Sequence, residues 1–266
     1  MPAGAGDADG LGAEPLRRGG RAGAAAVAGG GLGADVSAPV PADGVLLRLD
    51  RLTLARGGRE VVSALSGNFE RGTLTAVTGP NGAGKSTLVE ALAGRLAPVA
   101  GRLERAAGLR VAHLPQQSVL DRQFPIRVGD VVALGAWSRI GLWKALGGGL
   151  RREVDEALAT VGLLGCAQRP ISDLSVGQFQ RVLFARLLLQ DADLILLDEP
   201  FNAVDEATTA DLLALMRDWR DQGRAVVAVL HDQAQVQAHF DRMLQLDGRR
   251  RWAWGATAEL LGACAA

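Results

Sequence analysis

The run "GPNGAGKST" (79–87) fits the phosphate-loop spacing GxxxxGK[ST], and it sits between a predicted strand, "TLTAVTG" (73–79), and a predicted helix, "KSTLVEALAGRL" (85–96). Gly79, Gly82 and Gly84, with Asn81 and Ala83 between them, permit backbone turns that aim successive N–H groups at phosphate oxygens. Lys85 supplies a point charge to the β- and γ-phosphates, and the Ser86 hydroxyl, followed by Thr87, can ligate Mg²⁺. Only two of the 29 basic residues are Lys, so a Lys kept at position 85 implies a need for a compact ammonium in a narrow place.

Three further segments carry chemistry. "DLILLDEP" (193–200) is an apolar run ending in two carboxylates, a buried strand that would carry Asp198 to the sheet's ligand-binding edge. Asp198 then reads as a metal-shell carboxylate, and Glu199 is free to orient and polarise an attacking water. A strand ending in solvated acids would look the same, and the phosphate loop in the same chain favours the Mg²⁺ reading. "VVAVLHD" (226–232) ends a second apolar run at His231; a lone strand-end histidine can be structural, but an end over the same edge puts this one within reach of a γ-phosphate. "LSVGQFQR" (174–181) places Ser175, Gly177 and Gln178 before an apolar helical pattern, a second helix start whose N–H groups attract an anion.

These residues need a scaffold that brings strand ends together. "VLLRLDRLTLA" alternates apolar and polar residues, and "REVVSAL" follows a Gly57-Gly58 turn, the pattern of antiparallel strands with one wet face. Further strands are expected at 108–116, 193–198, 225–230 and 243–247, with helices at 205–221 and 233–239. Strands separated by helix-length segments predict an α/β fold with a parallel sheet and helices on its faces. Residues 126–190 read as mostly helical, interrupted near 141–150. The expected division is a disordered Gly/Ala-rich tail (1–44), a domain over 45–255 with an inserted helical subdomain at about 118–190, and a short C-terminal helix or tail (256–266).

Composition narrows the partners. With 29 basic and 29 acidic residues the chain has no net charge, so it lacks the basic excess expected of a nucleic-acid partner. No uncharged apolar run approaches the ~18 residues of a membrane span, so work at a membrane would need another chain to hold it there. Cys166 and Cys264, like His113, His231 and His239, lack metal-ligand spacing, and the cysteines read as reduced thiols. Residues 1–44 hold 12 Gly and 12 Ala and no aromatic residue, too little apolar surface to offset ordering entropy. Arg17-Arg18 faintly resembles a twin-arginine export signal, but the run behind it is too weakly apolar for a signal core.

"GPNGAGKST", "LPQ", "LSVGQ", "LLDEP", "NAVD" and "LHD", in this order, resemble the ATP-binding subunit of ABC transporters, over about residues 45–255. The resemblance implies a P-loop ABC ATPase domain with an antiparallel β subdomain, and ATP and Mg²⁺ as cofactors. It implies that Gln116 reaches the Mg²⁺ and the attacking water, that Asp205 lines a dimer interface, and that His231 holds the γ-phosphate. Ser175, Gly177 and Gln178 would then close over ATP bound to the other subunit, so each site is made from two chains. The implied partners are a second ATPase subunit and a polytopic permease at the cytoplasmic face of the membrane. The wording of "LPQQ…LDRQFPIRVGDVVALG" and "DEPFNAVD" is most similar to ATPases of zinc and manganese importers, which are fed by an extracytoplasmic metal-binding protein.

Two residues depart from the family pattern. Val176 replaces the commoner glycine of the signature, and Arg56 stands where an aromatic ring usually stacks on adenine. An Arg guanidinium can stack on a base; a solvated surface turn is the other reading of Arg56. The region 124–137 reads as helical core that also lines the groove for a permease helix. A soluble single-cassette ATPase, such as one for iron–sulfur cluster assembly, or an importer for another substrate, would carry the same motifs.

Overall fold

A computed structural model of the chain describes residues 44–116, 124–137 and 148–263. The expected Gly/Ala-rich tail, apart from Gly44, and most of the interruption near 141–150 lie outside the described residues.

Strands β1 (Val45–Arg56) and β2 (Arg59–Glu70) form an antiparallel hairpin. Its turn falls on Gly57 and Gly58, both at positive φ (58° and 77°), where a tight hairpin turn needs left-handed backbone. Strand β4 (Ala100–Arg105) pairs with the other edge of β1, giving the order β2-β1-β4. This third strand is not legible in the sequence: "AGRLER" lacks apolar alternation, and none of its residues is fully buried.

The second sheet has six strands in the order β5-β6-β7-β3-β8-β9. These are β3 (Leu74–Thr78), β5 (Val111–Leu114), β6 (Leu194–Asp198), β7 (Ala225–Val229), β8 (Arg242–Leu246) and β9 (Trp252–Ala256). The first five run parallel, and β9 returns antiparallel along β8. β3, β6 and β7 are buried at every residue, as expected of central strands covered on both faces.

Alternate residues of those strands enter two different apolar cores. Ala76, Ile195, Leu197, Val226 and Ala228 face the helices α2 (Val128–Ala133), α3 (Gly148–Thr160), α4 (Val176–Gln190) and α5 (Glu206–Asp221). Val77, Leu194, Leu196, Val227 and Val229 face the antiparallel sheet and α1 (Lys85–Leu92). Two short helices complete the chain, α6 (Gln233–His239) and α7 (Thr257–Ala263).

Helix α1 stops at Leu92, short of the expected residue 96. Arg105 Nη2 donates to the carbonyls of Ala91 (3.1 Å) and Leu92 (2.9 Å), and Gly94 turns the chain at φ 77°. An arginine from β4 thus satisfies end carbonyls that another turn of helix would have used.

Candidate nucleotide site

The carboxyl ends of β3, β5, β6 and β7 point the same way, and strand register decides which side chains meet there. Leu114 pairs with Leu197, and Asp198 pairs with Val229. The residues just past these ends, Gln116, Glu199 and His231, therefore emerge at nearly one level. They line a cleft of about 800 Å³ together with Asn81, Gly82 and Gly84 to Thr87 of the phosphate loop.

Glu199 is the hub. Gln116 Nε2 donates to its Oε2 at 2.7 Å, and His231 Nε2 lies 2.8 Å from Oε1. An ionised carboxylate only accepts, so Nε2–H of the imidazole is the donor in this pair. Asn202 Nδ2 approaches Oε2 more loosely at 3.5 Å. Glu199 itself sits at φ 53°, a left-handed conformation costly for a side-chain-bearing residue. Strain of that kind persists only where surrounding contacts hold it.

Lys85 is buried, and its Nζ donates to the carbonyls of Gly79 (2.8 Å) and Pro80 (3.0 Å). An ammonium has three protons, so one remains for a further acceptor. Burial pushes the Lys85 pKa down, and the charges of Glu199 and Asp198 oppose that shift.

Asp198 is 5% exposed, and its Oδ1 has no hydrogen-bond partner. Burial pushes its carboxyl up; a hydrogen bond from Ser86 and the charge of Lys85 pull it down, whereas Glu199 and Glu90 add to the rise. A buried acceptor oxygen without a partner, beside a hydroxyl, has the chemistry of a hard divalent cation's ligand set. Among the described residues no group of three or more His, Cys, Asp or Glu converges as a transition-metal site would.

The loop's first glycine is fixed by packing. Gly79 has φ 139°, and a Cβ there would stand 2.1 Å from the Leu246 carbonyl oxygen at the end of β8. Ala83, within the loop, is buried and does not line the cleft. Arg56 does line the cleft, with its Nη1 2.7 Å from Glu90 Oε2. Glu90 was not anticipated. The available signal was a lone carboxylate among the apolar residues that follow Lys85, Ser86 and Thr87 on α1. Val61 and Pro115 also line the cleft without a sequence signal.

The second helix start lies elsewhere. Ser175, Gly177, Gln178 and Asp205 do not line the cleft of the same chain. Ser175 caps α4 through a reciprocal pair, with the Gln178 N–H on Ser175 Oγ and the Ser175 N–H on Gln178 Oε1, each at 3.1 Å. Ser175 and Val176 are exposed. Gly177 is buried against the next helix, where a Cβ would stand 3.1 Å from Asp205 Oδ2 and 3.2 Å from Thr208 Oγ1. Asp205 in turn caps α5, accepting from the Thr208 N–H (2.8 Å) and hydroxyl (2.9 Å). The Thr208 bonds hold the Asp205 carboxyl below its usual range.

Comparison with known proteins gives one consistent answer. A family profile described as ABC transporter matches residues 62–202. The zinc transport system ATP-binding protein TroB of Treponema pallidum (strain Nichols) is 39% identical over 219 residues, covering 80% of this chain and 82% of that protein. The manganese transport system ATP-binding protein MntB of Bacillus subtilis (strain 168) is 36% identical, covering 79% of this chain and 86% of that one. Among solved structures, an ABC transporter described as metal-chelate type, in an inward-facing conformation, superposes with a TM-score of 0.75 at 30% identity, covering 82% of this chain and 85% of that chain. A nucleotide-free ATP-binding cassette superposes at 0.71 with 19% identity, covering 82% of this chain and 94% of its own, a likeness of fold.

Proposed function

Because this chain belongs to the ABC transporter family, as an ATP-binding subunit that hydrolyses ATP, we propose that it powers a permease importing a divalent metal, zinc or manganese. The observation that carries the catalytic reading is the Glu199 carboxylate, held between Gln116 and His231 at the mouth of the phosphate-loop cleft. The metal reading rests on the names of the relatives, one a zinc and one a manganese system.

In this reading the loop N–H groups and Lys85 hold the β- and γ-phosphates, and Glu199 accepts the proton of the water that attacks the γ-phosphorus. Gln116 orients that water, and His231 donates Nε2–H to the γ-phosphate oxygens. Asp198, Ser86 and Gln116 would hold Mg²⁺, which when bound neutralises charge on the phosphate oxygens. Catalysis is then mostly positioning and charge stabilisation.

Ser175, Gly177 and Gln178 stand outside their own chain's cleft, which supports a head-to-tail pair in which they close over the partner's ATP, with Asp205 at the seam. Arg56, paired with Glu90 in the cleft wall, would meet the adenine. We further propose that residues 118–190 act as a helical subdomain, and that its exposed Phe124 and Trp137 belong to the face that meets the permease. No described helix is long and apolar enough to cross a membrane, consistent with a subunit bound at its cytoplasmic face.

Replacing Glu199 with Gln keeps the side chain's size and one accepting oxygen and removes the base. Turnover is expected to fall by about a thousandfold or more, while ATP drives the variant into a stable dimer, read by size-exclusion chromatography. Unchanged hydrolysis would refute the assignment of Glu199. For transport, the test is co-purification with a polytopic membrane protein and measurement of cellular zinc and manganese after deletion. A soluble partner with unaltered metal content would favour an iron–sulfur assembly ATPase instead.

A further inference from the structure

The segment from Glu199 to Asp205 runs from the end of β6 to the start of α5 and carries the strained hub residue at one end and the helix cap at the other. Within it Ala203 also has left-handed backbone (φ 58°), so two side-chain-bearing residues are held in costly conformations within five positions. Contacts from outside the segment must hold it. Gln116 and His231 hold Glu199 itself, and further contacts come, directly or through Thr208, from one helix, α4.

Gln180 Nε2 donates to the Pro200 carbonyl at 2.7 Å, one residue past Glu199. Arg181 Nη2 donates to Thr208 Oγ1 (3.4 Å) and to Asp211 Oδ2 (2.6 Å), and Nη1 donates to the Val161 carbonyl at 3.1 Å. The Thr208 hydroxyl in turn donates to Asp205 Oδ2 at 2.9 Å. One helical turn earlier, Gly177 packs directly on Asp205 and Thr208. The Arg181 side chain is 21% exposed, so these bonds are only partly open to competing water.

We propose that Gln180 and Arg181 are positioning residues that join the start of α4 to Glu199, so that the two functional ends of one chain move as one body. The proposal rests on the paired reading above. There, the start of α4 serves the partner's nucleotide while Glu199 serves the chain's own. A displacement of α4 by the partner's nucleotide is then carried through Gln180 to Pro200 and through Arg181 and Thr208 to Asp205. Reciprocal coupling between the two sites follows from such a link. Neither residue touches the reacting atoms.

Thr208→Val is nearly isosteric and removes the hydroxyl that relays Arg181 to Asp205; Thr208→Ser keeps it. Purified full-length chain would be assayed for kcat, KM, affinity for a fluorescent ATP analogue, and melting temperature. Thr208→Val and Arg181→Met are each expected to lower kcat about tenfold, the size of one charge-assisted bond. KM and analogue affinity should stay within about twofold, and Thr208→Ser should restore kcat. Because the two residues act through one path, the double variant should be no slower than the worse single one.

Multiplied losses in the double variant, or Thr208→Ser as slow as Thr208→Val, would overturn the proposal. So would loss of analogue affinity in step with kcat. If Arg181→Met does not fold, Arg181→Lys, which keeps the charge and loses the forked Nη1/Nη2 donors, paired with Thr208→Val carries the same cycle. Failure of the paired reading would appear separately, as absence of an ATP-dependent dimer in Glu199→Gln of the otherwise wild-type chain.

Discussion

Lys85, Ser86, Asp198, Glu199 and His231 could be assigned chemistry from the sequence because each ends or begins a segment whose local pattern is strong. Gln116 and Asp205 took their roles from a family resemblance, since a lone Gln after a Pro and an Asp before a helix carry no chemistry by themselves. For Arg56 the sequence supports both base stacking and a solvated turn, and the structure adds an ion pair with Glu90. Gly177 has a packing role that spacing did not show, because its nearest neighbours across the α4–α5 seam are Asp205 and Thr208. Gly177→Ala should therefore act through that seam. An added methyl in a closed contact costs about 1–3 kcal/mol, and the gain in helix propensity, up to about 1 kcal/mol, offsets part of it. The expected outcome is a small fall in melting temperature with a larger fall in kcat, measured together on one preparation; a change in melting temperature alone would refute it.

At the scale of elements, the fully buried strands β3, β6 and β7 were plain because apolar runs covered on both faces need no partner to be recognised. β4 and β9 were missed. The first is half-exposed and the second is "WAWGA", partly buried at every position, so neither alternates. The loop between β3 and α1 is determined by contact with β8. A Gly79→Ala chain must place Cβ where the Leu246 carbonyl stands, at a φ that side chains rarely adopt, and backbone cannot yield as a side chain end can. Destabilisation by more than about 4 kcal/mol is expected, to be read from denaturant unfolding monitored by tryptophan fluorescence. A variant with wild-type stability would show that the loop can move away from β8.

For the whole molecule, one source of the pH dependence of stability is a histidine inside the parallel sheet. His113 on β5 is half-buried, its two ring nitrogens are buried without a partner, and burial, with Arg95 nearby, lowers its pKa from 6.5 to about 4. The folded chain keeps this imidazole neutral while the unfolded chain protonates it as pH falls below about 6.5, so the unfolded state then binds more protons. Stability contributed by the neutral form is therefore complete above pH 6.5 and is lost progressively toward about pH 4. Melting curves of wild type and His113→Leu should converge or cross as pH falls through that window, with wild type losing more. Parallel curves would place the acid sensitivity elsewhere.

The sequence by itself determined the α/β class, the phosphate loop, the paired carboxylates and the start of α4, because each depends on contiguous residues whose spacing sets local geometry. Only the tertiary structure decided which of them share a cleft. Register across β5, β6 and β7 sets Gln116 and His231 on Glu199, although 83 and 32 positions separate them along the chain. The same folding keeps Ser175 and Gly177 out of that cleft and ties them to Asp205 through the α4–α5 seam. Strand register and helix packing arise from the summed burial of two apolar cores, a property of the folded whole that no short segment contains.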